Sequence, residues 1–313
     1  MVNIKWVERK SPVLTTSNLA CLAHIPGVNI TSGCAHDCVY CYARGYRSFP
    51  GENKVVIYKS ICEKLEVELA RKKTKPHAIY FSPSSDIFQP VQEVLEISYS
   101  ILELLLRKGC GIAFVTKGEI PERTLQLLLQ HADRVKAQIG IITHDDAIRR
   151  VFEPNAACIK TRLRQMTAMA AGGIAIEARL IPILPGITDT TEAIDNLLQA
   201  VSSTGITRAS ISTLFLRPAI SSSLKHRITD AKMLTGLLKY FEGSMRMPVH
   251  ATHSSVLPLS RKTREDIYAR FRQHAAKYGM ELSVCGCMNS DIGGSCNIAG
   301  TWPNNERQYK WEI

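Results

Sequence analysis

Thr31-Ser-Gly-Cys-Ala-His-Asp-Cys-Val-Tyr-Cys-Tyr-Ala-Arg44 sets three cysteines, Cys34, Cys38 and Cys41, at C-x3-C-x2-C spacing. The segment follows directly on a short apolar run, Gly27 to Ile30, that reads as a strand. Three thiolates on one short loop can hold three irons of a [4Fe-4S] cube and leave the fourth iron open, and an open iron is a substrate site. The competing reading is a zinc ion closed by His36 as fourth ligand, which requires His36 to fold inward beside the thiols.

Outward from this loop, short apolar runs alternate with amphipathic helical patterns. The strand-like runs are Gly27 to Ile30, Ala78 to Ser82, Gly111 to Thr116, Val135 to Ile142, Ala175 to Leu184 and Ala209 to Leu216. Helical patterns fall near 61–71, 91–107, 121–130, 160–171 and 191–203. Asp189 and Glu192 form a capping-box-like pair before the last of these, and Gly205 follows it as a stop. Six β and α units in alternation imply an α/β fold, a partial (βα)6 barrel with its site at the carboxyl ends of the strands. Beyond Pro218 the alternation weakens into two basic helices, near 229–241 and 261–278, a short Glu281 to Val284 strand and a Gly/Asn/Cys-rich tail. The expected organisation is therefore a loop-like lead over 1–24, the core over 25–219, and a C-terminal α-rich, Cys-containing extension over 220–313.

Composition narrows the class. With 45% hydrophobic and 21% charged residues in 313, the chain can bury a core, and a disordered polypeptide is excluded. The longest mostly apolar stretches, such as Ile174 to Leu184, are about half of the ~20 residues that a spanning helix needs. The charged start, Met1 to Lys10, lacks the apolar core of a signal peptide, so a cytoplasmic location without membrane association is expected. In that setting clustered cysteines read as metal ligands rather than disulfides, and six of the ten are clustered. The net charge of +11 concentrates late: residues 221–280 carry 11 Lys/Arg against 4 Asp/Glu. Such an excess suits an anionic partner such as nucleic acid, and equally a basic solvated face.

The cysteine loop, with Tyr40 before its last Cys, resembles the signature of the radical S-adenosylmethionine (SAM) superfamily. That resemblance implies a [4Fe-4S] cluster whose open iron chelates SAM, and reductive cleavage of SAM to a 5′-deoxyadenosyl radical that abstracts hydrogen from a substrate. It also implies a protein reductant, such as a flavodoxin or ferredoxin. A narrower resemblance, over 27 to about 218, is to the spore photoproduct lyase-like branch. It is carried by Cys38-Val-Tyr-Cys-Tyr-Ala-Arg44, Ser84-Ser-Asp-Ile-Phe-Gln-Pro90, Phe114-Val-Thr-Lys117, Glu153-Pro154, Arg162-Leu163, Gly173, and Arg179-Leu-Ile-Pro-Ile-Leu-Pro-Gly186 with Asp189. By that resemblance Ser84, Ser85 and Asp86 face the SAM amino group or ribose, Lys117 its carboxylate, and Arg179 makes a further polar contact. Tyr40 and Tyr42 resemble the branch's relay tyrosines. The bland alternatives are a helix cap for Ser85 and Asp86 and a solvated charge for Lys117.

Two residues depart from the branch. Pro83 stands where photoproduct lyases carry a hydrogen-donating Cys, and Gly140 where related chains often carry Ser. Photoproduct repair is not expected. A second group, Cys285, Cys287 and Cys296, has C-x-C-x8-C spacing in a turn-rich segment and can converge on one centre. An auxiliary iron-sulfur cluster, zinc, a redox-active thiol and unligated Cys are the readings, with no fourth ligand identified. Cys21, Cys62, Cys110 and Cys158 stand singly and read as small buried hydrophobes. His250, His253, Trp302 and Trp311 read as packing or surface residues. The leading expectation is a radical SAM enzyme performing a lyase-type reaction on a nucleobase, nucleoside or nucleic acid. The alternatives are modification of a peptide or small metabolite with an auxiliary cluster, and a non-catalytic metal-containing nucleic-acid-binding protein.

Overall fold

A computed structural model of the chain describes residues 2–17, 20–23, 25–249 and 254–294. Six strands run parallel and in sequence order: β1 (Gly27–Val28), β2 (Ala78–Phe81), β3 (Gly111–Thr116), β4 (Val135–Gly140), β5 (Ala175–Ile183) and β6 (Arg208–Thr213). A seventh strand, β7 (Glu281–Val284), extends the sheet parallel to β6, and Leu14–Thr15 adds an antiparallel edge beside β1.

Period-two alternation divides the strands between two environments. Ile79, Phe81, Ile112 and Phe114 join the main core with helix residues such as Leu102 and Leu105. Ala78, Tyr80 and Ala113 point the other way, where Leu22 and Ile25 pack on them with Cys21 and Val115 beside. Residues before β1 thus fill the face of the sheet turned from the helices. Cys21, just ahead of β1, lies 3.4 Å from Cys287, just past β7, sulfur to sulfur. These strands stand near opposite ends of the sheet order, so the contact requires the sheet to curl into a partial barrel with its seam there.

Parallel neighbours need crossovers, and helices supply them. Between β2 and β3, α2 (Gln92–Arg107) buries Val94, Ser98, Ile101, Leu102 and Leu105 on one face, and Gly109 at φ +77° ends the run. Each fully buried Leu or Ile there contributes about 1.5–3 kcal/mol. Among the described residues the other α-helices are α1 (Ile61–Ala70), α3 (Glu122–Gln130), α4 (Asp146–Phe152), α5 (Ile159–Ala171), α6 (Thr191–Ser202), α7 (Pro218–Arg227), α8 (Ala231–Lys239) and α9 (Arg261–Lys277).

Several boundaries differ from the sequence reading. The lead contains a strand, Asn3–Val7, which pairs parallel with Lys54–Tyr58, itself antiparallel to Thr31–Ser32 just before the cysteine loop. Helices α4 and α7 lack a strong apolar period and were not expected. The cap of α6 is Thr190, whose Oγ1 accepts from the Ala193 amide at 3.2 Å, and not Asp189. Asp189 instead accepts from the Gly186 amide at 2.6 Å and from Arg270 of α9 at 2.8 Å. No helix among the described residues is long and apolar enough to cross a membrane.

Candidate active site

The cysteine loop leaves Thr31–Ser32 through Gly33 at φ +82°, where an added Cβ would lie 2.4 Å from the Lys54 carbonyl oxygen, so only glycine fits. Three successive turns follow: the Asp37, Cys41 and Arg44 amides donate to the Cys34, Cys38 and Cys41 carbonyls at 3.3, 3.2 and 3.3 Å. Distant segments brace it. Val39 N donates to Phe152 O at 2.9 Å, Ala35 N to Gln89 Oε1 at 2.8 Å, and Asn155 Nδ2 to Ala35 O at 3.0 Å. Buried Arg44 pairs with Asp37 at 2.6 Å and with Glu52, and Arg227 of α7 also reaches Asp37 at 2.5 Å.

Burial pushes the Cys34, Cys38 and Cys41 thiols up, and for Cys34 nearby Asp86 and the other two cysteines add to the shift. Neutral thiols of this kind ionise when a metal cation binds them, so the donor set suits iron. Arg162, wholly buried and within electrostatic reach of Cys38, keeps its Nη2 without a hydrogen-bond partner among the described residues. Among those residues no three His, Cys, Asp or Glu side chains converge on a single-ion site; in a cube each thiolate meets its own iron, a wider arrangement. The zinc reading with His36 does not survive. Both of its ring nitrogens are engaged, Nε2 with Asp86 Oδ2 at 3.0 Å and Nδ1 with the Asn155 carbonyl at 3.3 Å.

The Ser84-Ser-Asp step follows β2 as expected, with its members in different settings. The buried Asp86 carboxylate accepts from Thr116 Oγ1 at 2.8 Å, Lys117 N at 2.8 Å, Phe88 N at 2.9 Å and His36 Nε2 at 3.0 Å. Burial pushes its carboxyl up, but His36 and these amides win and hold it below the ordinary range. Asp86 therefore ties β2, the start of the β3–α3 connection and the cysteine loop together. Ser84 donates to Asn29 Oδ1 at 2.8 Å, as does Ser82, while Ser85 lies 3.0 Å from Ser82. Asn29 organises this turn, and sequence reading passed over it because a lone polar residue beside a strand carries no pattern.

Lys117, at the end of β3, lies with Nζ 5.8 Å from the Tyr40 ring centroid. Its stem crosses Gly140 on β4: an added Cβ there would come within 2.8 Å of Lys117 Cγ and 3.1 Å of Nζ. The missing side chain at Gly140 is thus the space Lys117 occupies. Beneath, Tyr40 donates to Glu153, and Glu153 pairs with Arg162 at 2.6 Å, both side chains wholly buried. Burial pushes the Glu153 carboxyl up, yet Arg162 and Lys117 hold it below its ordinary value. Arg162 also donates to the Gly140 and Ala157 carbonyls, each at 2.8 Å.

Tyr42 donates to the Pro83 carbonyl and meets Tyr46 edge to face, ring centroids 5.7 Å apart. Arg179 on β5, in electrostatic reach of Tyr42, donates to Gln138 at 3.4 Å. Of the second cysteine group, Cys285 and Cys287 are buried and Cys296 lies outside the described residues, as do His250, His253, Trp302 and Trp311. Cys110 is buried in the main core and Cys62 packs against it, as expected. Two single cysteines behave otherwise: Cys158 is exposed beside Thr161 at 3.3 Å, and Cys21 meets Cys287.

A three-thiol loop at the carboxyl end of β1 in a parallel partial barrel, with a lysine and polar strand ends around it, defines a cofactor-dependent enzyme class. The family model of the Radical SAM superfamily matches residues 28–198, and the chain belongs to that superfamily of enzymes. An uncharacterized protein of Mycobacterium tuberculosis H37Rv is 27% identical over 217 residues, covering 66% of this chain and 64% of the relative. The chain thus spans just under two thirds of that relative's length. A radical SAM Nα-GlyT isomerase of Pseudomonas phage M6 is 24% identical over 173 residues, 55% of this chain and 35% of that protein. Among solved structures, spore photoproduct lyase complexed with dinucleoside spore photoproduct superposes with a TM-score of 0.67 at 12% identity, over 89% of this chain and 81% of that one. A mutant of it with bound AdoMet and the same photoproduct gives 0.66 over the same shares. At this identity the likeness establishes the fold.

Proposed function

We propose that the chain is a radical SAM enzyme that abstracts hydrogen from a nucleobase, nucleoside or nucleic acid and performs a lyase-type reaction on it. The observation that carries the substrate class is an aromatic and cationic mouth beside the cysteine loop. Tyr42 and Tyr46 are 47% and 38% exposed, and Arg217 acts electrostatically on Tyr46. Arg217 stands at the N-cap position of α7, which carries Lys225 and opens the basic 221–280 segment, while Arg227 at its end is paired with Asp37 and Glu52. Exposed aromatic rings offer stacking faces for bases, and flanking cations attract phosphates. The structural likeness to a lyase solved with a dinucleoside agrees with this reading.

In this reading Cys34, Cys38 and Cys41 hold the [4Fe-4S] cluster, and Lys117 takes the SAM carboxylate. Ser84 and Ser85 face its amino group or ribose, and Arg179 adds a polar contact. Asp86, whose carboxylate accepts from His36 Nε2, Thr116 Oγ1 and the Lys117 amide, positions these groups. When bound, cluster and cofactor supply an organic radical; the protein's part is to orient them and exclude water. Tyr40 and Tyr42 stand as relay candidates, Tyr40 anchored on Glu153 and Tyr42 on Pro83. A flavodoxin- or ferredoxin-type reductant supplies the electron. The tail cysteines Cys285, Cys287 and Cys296 hold a second metal, iron-sulfur or zinc; that feature also suits a peptide or small-metabolite substrate, the second reading.

The test is anaerobic reconstitution and incubation with SAM and separate pools of nucleosides, oligonucleotides and peptides, following 5′-deoxyadenosine and substrate mass. Turnover of a nucleoside or oligonucleotide, weakened in a Tyr46→Ala variant that still cleaves SAM, supports the proposal. Turnover with peptides alone rejects the substrate class. A protein that binds nucleic acid, never cleaves SAM and tolerates Lys117→Ala would be the non-catalytic alternative.

A further inference from the structure

We propose that Cys21 and Cys287 are ligands to one soft metal centre set across the seam of the barrel. The proposal rests on the reading of the tail cysteines as a metal site and adds a ligand from the other end of the chain. The two sulfurs are 3.4 Å apart although 266 residues separate them, so no local turn forces the approach. Two thiolates bound at 2.3 Å to one tetrahedral zinc ion stand about 3.8 Å apart, so a small opening of the pair admits a metal. As neutral thiols they are weak donors and weak acceptors and gain little from each other.

Both sides of the pair are built to present sulfur. Cys21 belongs to the segment that Leu22 and Ile25 pin against Ala78, Tyr80 and Ala113. Cys285, two residues before Cys287 and buried, continues the pairing of β7 with its amide donating to Ile211 O at 3.0 Å. Its carbonyl accepts from Asn289 at 2.8 Å, and Asn289 in turn accepts from Arg264 at 3.0 Å and Tyr268 at 2.9 Å. Gly286 and Gly294 approach backbone to backbone: a Cβ on Gly286 would lie 2.4 Å from the Gly294 oxygen. The turn is therefore ordered by polar contacts and glycine packing before any metal enters. Thiolates select zinc or an iron of a cluster among first-row metals, and these two sources share the chemistry inferred here.

The full chain, reconstituted anaerobically, is to be analysed for zinc, iron and sulfide beside Cys21→Ser, Cys21→His, Cys287→Ser and Cys285→Ser. The expected result is metal beyond the first cluster in the parent, lost from Cys21→Ser and Cys287→Ser while the first cluster stays, and kept by Cys21→His, whose imidazole can still ligate. Loss of zinc, or of iron with sulfide, identifies the source. Extra metal that stays in Cys21→Ser but leaves Cys285→Ser overturns this inference and leaves the tail reading intact. A parent without extra metal defeats both. A Cys21–Cys287 disulfide found by peptide mass spectrometry in the anaerobic parent also overturns it. If Cys21→Ser does not fold, alkylation of the parent decides: Cys21 and Cys287 should be protected until a chelator strips the metal and then react together, and prompt labelling beforehand rejects the proposal.

Discussion

Lys117 lies across the bare Cα of Gly140, with no room for a side chain between them. A hydroxymethyl group at position 140 must push the lysine stem aside and move its ammonium from above the Tyr40 ring. In the proposed site that ammonium meets the SAM carboxylate. A charge-assisted contact of this kind is worth about 1.5–3 kcal/mol, so Lys117→Ala should raise the SAM dissociation constant by about tenfold or more. Gly140→Ser should do the same without removing any charge. Isothermal titration on the reconstituted protein checks both; unchanged affinity in Lys117→Ala with an intact cluster would make Lys117 a solvated charge.

Cys34→Ala, Cys38→Ala and Cys41→Ala should each abolish the SAM-cleaving cluster. His36 cannot substitute for a lost thiolate, because both ring nitrogens are occupied by Asp86 and Asn155. Anaerobic iron and sulfide analysis, with 5′-deoxyadenosine formation under dithionite, is the measurement. Parent-rate cleavage by Cys38→Ala would sink the assignment.

The buried Glu153–Arg162 pair should be costly to break on one side and cheap to replace on both. Arg162→Met leaves an unpaired carboxylate at a position with no exposure, and removing one partner of such a pair costs about 3–5 kcal/mol. The double replacement Glu153→Leu, Arg162→Met should lose clearly less stability, though it releases Tyr40 as well. Urea unfolding of the parent, Glu153→Leu, Arg162→Met and the double variant gives the coupling energy; a double-variant loss equal to the sum of the two single losses would mean that the pair is not coupled.

Asp195 on α6 gathers His274 at 2.9 Å, Lys277 at 3.2 Å and Tyr278 at 2.9 Å from the end of α9. These hydrogen bonds, that of His274 foremost, pull its carboxyl down to about 2 from 3.8. The folded value lies below the unfolded one, so the contribution to stability is present above pH 4 and fades as pH falls toward 2. Asp195→Asn should therefore be less stable than the parent at neutral pH, with the gap closing across that acid range. Thermal melts at stepped pH read this directly, and a gap constant down to pH 2 would contradict it.

The cysteine loop and the six strands were legible because thiolate spacing and alternating apolar runs are local patterns. What escaped is made by long-range pairing. Nothing near Asn29 in sequence announces that Ser82 and Ser84 both donate to it. Asp86 was legible as a site residue, while its role as a hub depends on Thr116 and His36 arriving from other connections. Cys21 looked like an isolated hydrophobe until the curl of the sheet brought Cys287 against it. The Asn3–Val7 strand was missed because its partner, Lys54–Tyr58, lies some fifty residues on, as the Asn3–Lys54 register shows.

The bracing of the cysteine loop also fixes an order of events during synthesis. Asn3–Val7 finds its partner only when Lys54–Tyr58 has emerged, and Val39 and Ala35 gain their hydrogen bonds only once Phe152 and Asn155 exist. Arg162, which neutralises Glu153 under Tyr40, comes later still. A nascent chain that stops before α4 therefore carries all three cysteines of the loop without the braces that Phe152, Asn155 and Arg162 supply. In the proposed site, iron offered at that moment would meet thiols whose loop still lacks these hydrogen bonds, so cluster insertion would follow the arrival of Phe152 and Asn155.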